Sequence, residues 1–174
     1  MIRMRRKKIG MSTEIYIEKI NENAVLPAYA HDGDAGMDLY AAEDVTIAPG
    51  QTVLVKTGLK FAIPVGFEVQ IRPRSGISLN TPLRIPNAPG TIDSGYRGEI
   101  CIIMENTSPE SSDVIGQVFG VGDKGNQKGT YQIKKGDRVA QMVVARYEKV
   151  DFVSVESVEG IGKDREGGFG STGI

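Results

Sequence analysis

Asp93 stands between two glycine turns, in the stretch Asn87-Ala-Pro-Gly-Thr-Ile-Asp-Ser-Gly-Tyr-Arg-Gly98. Pro89-Gly90 and Ser94-Gly95 bracket Thr91-Ile92-Asp93, a spacing that predicts a tight hairpin exposing backbone donors and acceptors beside one carboxylate and one aromatic ring. Asp93 is there either a general base or a plain turn residue. Tyr96 is a ring facing a ligand or a core side chain, and Arg97 a salt-bridge partner or a charge on a strand face. Upstream, Pro73-Arg-Ser-Gly76 offers a guanidinium that can fork onto phosphate, a hydroxyl and an exposed glycine amide, or an ordinary turn. Ala35-Gly-Met-Asp-Leu-Tyr-Ala41 places Asp38 in a small, apolar setting, where a carboxylate either caps a turn or reaches toward a cation.

The chain ends on Asp164-Arg-Glu-Gly-Gly-Phe-Gly-Ser-Thr-Gly173, with an arginine, a ring, glycine amides and two adjacent hydroxyls within nine residues. Glycine amides can converge on an anion, the hydroxyls donate to phosphate oxygens, Arg165 neutralises charge and Phe169 can stack on a base. This is not a Walker loop, because no lysine follows the glycines and no helix succeeds them. A flexible linker is the competing reading, since six of the last fifteen residues are glycine.

Scarcity excludes further chemistry. With one cysteine, Cys101, and one histidine, His31, the 174-residue chain has no internal disulfide and no Cys/His zinc site, so any metal is held by oxygen. Cys101 lies in the apolar run Glu99-Ile-Cys-Ile-Ile-Met104 and reads as a small buried hydrophobe. The net charge is −1, yet Arg3, Arg5, Arg6, Lys7 and Lys8 load the first ten residues with cations, so the rest carries the acidic excess. A general nucleic-acid surface is disfavoured, because such a surface must displace counterions from phosphates. Residues 1–12 read as a disordered basic leader, or as upstream translation ahead of Met11; no apolar core follows the cations as a secretory signal requires. No apolar run approaches the length of a membrane span, and a cytoplasmic protein is expected.

The elements that must position these residues are short strands. Apolar alternation or β-branched runs recur at 14–20, 45–47, 52–56, 59–63, 67–71, 99–105, 132–133, 138–147 and 152–155, with turn signals such as Pro49-Gly50, Thr57-Gly58 and Lys135-Gly136-Asp137 between them. Twenty-two glycines and eight prolines disfavour long helices. The pattern predicts one all-β domain, a sandwich or jelly roll, over residues 13–158, with helix confined to about a turn after Ser75. Residues 106–136 contain a long glycine-rich loop or extended hairpin tip with no motif of its own, and 159–174 form a glycine-rich arm.

In chain order, Ala35–Ala41, Pro73–Gly76, Gly90–Gly98, Gly136-Asp-Arg-Val-Ala-Gln-Met142 and Arg165–Gly173 resemble the five motifs of the trimeric deoxyuridine triphosphatases (dUTPases). The resemblance implies a jelly-roll (β-clip) homotrimer with each site built from three subunits, closed by the C-terminal arm. It implies hydrolysis of dUTP to dUMP and pyrophosphate with Mg²⁺, supplying dUMP for thymidylate synthesis and limiting uracil in DNA. Asp93 would deprotonate the attacking water. Arg74, Ser75, Gly76, Gln141, Arg165, Gly170, Ser171 and Thr172 would hold phosphates, and Asp38 would meet the cation through water. Gly90, Thr91 and Ile92, with Asn87, would read uracil through backbone atoms; Tyr96 would lie beneath the deoxyribose and Phe169 on the base.

Glu166 departs from the family's usual glycine, and the segment 106–136 is longer than its usual connection. One rival is a dCTP deaminase of the same fold. Its catalytic glutamate would sit ten residues beyond Asp93, where this chain has Ile103, with Glu105 two positions further on the same strand face. The other rival is an inactive trimeric binding or regulatory module.

Overall fold

A computed structural model describes residues 13–110 and 116–163. The leader, residues 111–115, and the expected tail residues Arg165, Phe169, Gly170, Ser171 and Thr172 lie outside the described residues. In order, the elements are β1 (Tyr16–Lys19), β2 (Gly36–Tyr40), β3 (Val45–Ile47), β4 (Thr52–Lys56), β5 (Leu59–Ala62), β6 (Phe67–Arg72), α1 (Ser75–Asn80), β7 (Leu83–Arg84), β8 (Gly90–Ile92), β9 (Cys101–Asn106), β10 (Val118–Gly120), β11 (Thr130–Ile133) and β12 (Arg138–Arg146). The architecture is all-β, of the jelly-roll type, with α1 as its only α-helix among the described residues.

Alternation builds the core. On β9, Ile102, Met104 and Asn106 are buried while Cys101, Ile103 and Glu105 take the other face; on β5, Leu59 and Phe61 point inward. These join Leu39, Ile47, Val55, Val69, Ile71, Ile100, Tyr131 and Ile133 in one cluster. Each such aliphatic side chain contributes about 1.5–3 kcal/mol by leaving water. Where the chain turns from β4 to β5, Gly58 has φ +68, and a Cβ there would press on Asn21 and Ala24 at 2.7 and 2.9 Å, so only glycine fits.

The four-stranded sheet β2-β12-β6-β8 positions the site. Because β12 lies between β2 and β6, Gln141 faces Asp38 on one side and Arg72 on the other. On the far side of β6, Ile71 pairs with Gly90, which sets the hairpin carrying Asp93 against this sheet. The chain leaves β6 through Pro73 into α1, where Ile77 is buried and Thr81 ends the helix by donating its hydroxyl to the Ile77 carbonyl at 2.8 Å.

Two expectations are corrected. Residues 152–155 form no strand: Phe152 is 95% exposed and Val153 82%, because a strand needs a partner and no sheet edge among the described residues pairs with it. The long segment is not a hairpin tip either, since β10 pairs with β11 in parallel, in register Val118 to Thr130, and residues 121–129 must cross back between them.

Candidate active site

The hairpin after β8 is held by backbone contacts. The Tyr96 amide donates to the Asp93 carbonyl at 3.0 Å. The Arg97 guanidinium donates to the Ser94 and Tyr96 carbonyls at 2.7 and 2.8 Å, so Arg97 clamps the turn; it lies outside the strands and makes no ion pair among the described residues. Tyr96 is exposed, not core, and its hydroxyl donates to the Glu99 carbonyl at 3.1 Å. That ring lies against Gly98, where any Cβ would overlap the Tyr96 hydroxyl, which explains the glycine at a position with no positive φ.

This hairpin walls a cavity of about 240 Å³ lined by Asn87, Gly90, Thr91, Ile92, Asp93 and Tyr96, closed by the apolar side chains Ile71, Ile85 and Ile103 and by Cys101. Six of the expected ligand-reading positions therefore share one concave wall. The Asp93 side chain is exposed and carries no hydrogen bond or ion pair among the described residues, so its carboxylate is available to a ligand. Cys101 was expected as simple core and instead forms part of this wall. Burial, reinforced by Glu99, pushes its thiol above the ordinary range. Alkylation of Cys101 by iodoacetamide is accordingly expected to be slower at pH 7 than that of a free cysteine, to accelerate with rising pH, and to be blocked by a ligand filling the cavity; mass-spectrometric labelling rates check this.

A second cluster centres on Asp38. Arg74 donates from Nε to Asp38 Oδ1 at 2.9 Å, Arg138 approaches Oδ2 at 3.3 Å, and Gln141 Nε2 reaches Oδ1 at 3.5 Å. Asp38 is thus an ion-pair hub and does not cap a turn. On one side of it, Asp34, Gly36, Asp38 and Gln141 line a cavity of about 270 Å³; on the other, Arg74, Gly76, Asn80 and Arg138 line another of about 270 Å³. Ser75 is exposed beside them. The sequence reading missed Arg138, although it lies in the same motif as Gln141.

No group of three or more His, Cys, Asp or Glu residues capable of holding a metal occurs among the described residues. Asp38 already has each oxygen engaged by an arginine, which disfavours direct capture of a bare ion and leaves contact through a water as the way it could meet a cation. The Asp93 wall and the Asp38 cluster share no lining residue within one chain.

The dUTPase family profile matches residues 22–118 and 111–173, which together span most of the chain. The chain belongs to the dUTPase family. It is 45% identical over 165 residues to the deoxyuridine 5'-triphosphate nucleotidohydrolase of Solibacter usitatus, covering 92% of this chain and 96% of that protein. It is 42% identical over 167 residues to the enzyme of the same name from Mycobacterium leprae, covering 94% and 97%. Among solved structures, a dUTPase variant of Staphylococcus bacteriophage 80alpha in complex with dUpNHpp is similar at TM-score 0.83 and 30% identity, over 94% of this chain and all of that one. An Asp-to-Asn variant of the dUTPase from phage phi11 of S. aureus, described with a structural Mg(II) ion, is similar at TM-score 0.75 and 32% identity, over 84% and 99%. Members of the dUTPase family act on dUTP and work with a divalent cation. No helix among the described residues is long and apolar enough to cross a membrane.

Proposed function

We propose that the chain hydrolyses dUTP to dUMP and pyrophosphate, with Asp93 as the general base that takes the proton of the water attacking the α-phosphorus. The observation that carries this reading is an Asp93 carboxylate, without a hydrogen bond or ion pair among the described residues, in the lining of a cavity that also contains Asn87, Gly90, Thr91, Ile92 and Tyr96. Discrimination by one methyl in a soft pocket amounts to only about 1–3 kcal/mol, so exclusion of thymine would fall to the backbone of the Gly90–Ile92 strand, which cannot yield as a flexible side chain would. Asn87 and the backbone of Thr91 and Ile92 would read the uracil edge, with Tyr96 against the sugar.

Arg74, Ser75, Gly76 and Gln141 would hold the phosphates, joined from the tail by Arg165, Gly170, Ser171 and Thr172, with Phe169 over the base. Arginine and amide donors aimed at phosphoryl oxygens stabilise the charge that develops in the transfer. Magnesium arriving on the triphosphate would be met by Asp38 through water and would supply further neutralisation of that charge. Glu166, in place of the family's glycine, would sit beside the phosphate-holding Arg165.

A homotrimer fits the separation of the Asp93 wall from the Asp38 cluster, because a second subunit can bring one against the other. It also fits the exposure of Phe152, Val153, Val158 and Ile161, apolar side chains that a neighbouring subunit would cover. In this reading residues 13–158 form the catalytic domain, 1–12 a leader and 159–174 the closing arm, in a cytoplasmic enzyme.

The position where a deaminase needs its acid is occupied by Ile103, which lines the cavity, whereas Glu105 lies two residues along in register with Thr52 and Arg84 and does not line it. The purified protein with Mg²⁺ is expected to release pyrophosphate from dUTP far faster than from dTTP, dCTP or UTP, measured by coupled phosphate detection. Equal rates on all four nucleotides would refute this reading, and uracil nucleotide formed from dCTP would return the deaminase.

A further inference from the structure

The insertion between β9 and β11 returns to the phosphate side of the molecule. Its turn is fixed by the Gly120 amide donating to Asp123 Oδ2 at 2.8 Å, and its descent by the Asn126 amide donating to the Asn80 carbonyl at the end of α1, also at 2.8 Å. Asn126 adopts φ 51, a left-handed conformation that asparagine tolerates. Between these two anchors Val121 packs against the core, and Gly122 and Lys124 join Arg74, Gly76 and Arg138 in lining one cavity of about 270 Å³.

The charges around this cavity are unequal in availability. Asp137, also in its lining, turns an oxygen onto the Lys134 amide at 2.8 Å, and Asp123 is engaged as described. Arg74 commits its Nε to Asp38 on the other side, and Arg138 pairs with the same carboxylate. Lys124 is exposed, shares the lining of this cavity with Arg74 and Arg138, and makes no ion pair among the described residues, not even with the Asp137 carboxylate in the same lining.

We infer that Lys124 is a substrate-binding residue contributed by the insertion, pairing with the phosphates of the triphosphate farthest from the nucleoside. The inference rests on the dUTP reading above. Arg74 lines the Lys124 cavity and donates to Asp38, which lines the other, so a polyphosphate held at Arg74 has further phosphates to offer Lys124, whereas a monophosphate has none. The added charge therefore selects triphosphate over the dUMP product.

Isothermal titration of the full chain with dUpNHpp and, separately, with dUMP, both with Mg²⁺, tests this. Lys124→Ala is expected to weaken dUpNHpp roughly tenfold, as for loss of one charge-assisted contact, and to change dUMP by less than about twofold. Lys124→Arg should retain most of the affinity, and Lys128→Ala, which removes a neighbouring exposed charge from the same loop, should change neither ligand. In turnover, Lys124→Ala should raise KM with kcat little changed. Equal loss for both ligands, loss in Lys124→Arg matching that in Lys124→Ala, or an effect of Lys128→Ala as large as that of Lys124→Ala overturns the inference. A wild-type chain that binds and hydrolyses dUTP while Lys124→Ala binds dUpNHpp as tightly overturns it alone; a wild-type chain that does neither overturns the dUTP reading with it.

Discussion

Asp93→Asn is expected to lower kcat for dUTP by roughly 10²–10⁴-fold, the range a positioned general base supplies. The dissociation constant for dUpNHpp is expected to stay within about threefold of wild type, because the substitution keeps the shape of the side chain while removing its charge and its basicity. The structure explains why folding should survive it. Among the described residues no side-chain hydrogen bond of Asp93 supports the hairpin; the turn is closed by the Tyr96 amide on the Asp93 carbonyl and by the two Arg97 contacts to backbone carbonyls. Pre-steady-state turnover and calorimetric binding on the same preparation separate the two quantities. Parallel loss of binding and turnover would assign Asp93 a structural role and leave the attacking water without a base.

The largest expected effect on stability lies away from the site, at Asn106. This side chain is fully buried at the end of β9 and donates both of its amide hydrogens, to the Ile47 carbonyl at 2.9 Å and to the Gly129 carbonyl at 2.8 Å, while its oxygen accepts from the Ser108 amide at 3.0 Å. It therefore ties β3, β9 and the start of β11 together at the root of the insertion. Asn106→Ala leaves three backbone groups without their partner, each costing about 1–3 kcal/mol, partly relieved where water can enter. A loss of about 3 kcal/mol or more is expected, which lowers the unfolding midpoint by roughly 10 °C in differential scanning calorimetry. A midpoint within about 2 °C of wild type would show that the network is not what holds the insertion's root.

Local chemistry was legible where one stretch of chain contained all the parts. The hairpin around Asp93 could be read because its two glycine turns and its carboxylate lie within twelve residues, and the structure closes it as a turn whose residues line a cavity. The single helical turn after Ser75 follows from the proline that ends β6 and from Ile77 as its only inward residue. Alternation revealed β4, β5, β6, β9 and β12 because each has one buried face. β2 is absent from the strands expected from sequence, where Gly36 and Asp38 read as a site for a turn or a cation; pairing with β12 makes it a strand. Residues 152–155 show the converse, a good alternating pattern with no partner strand among the described residues.

What the sequence by itself determined is the inventory: one useful carboxylate in a glycine hairpin, arginines and hydroxyls suited to phosphate, no thiol or imidazole set for a transition metal, and short strands to carry them. Which of these groups meet was decided only by tertiary structure. Gln141 and Asp38 are 103 residues apart yet touch, because β12 is laid between β2 and β6. Arg138 shares the same carboxylate with Arg74 for the same reason, and Lys124 faces them because a parallel β10–β11 pair forces the insertion to cross over α1. Strand order and register are set by the packing of the whole core, where no single segment holds the information.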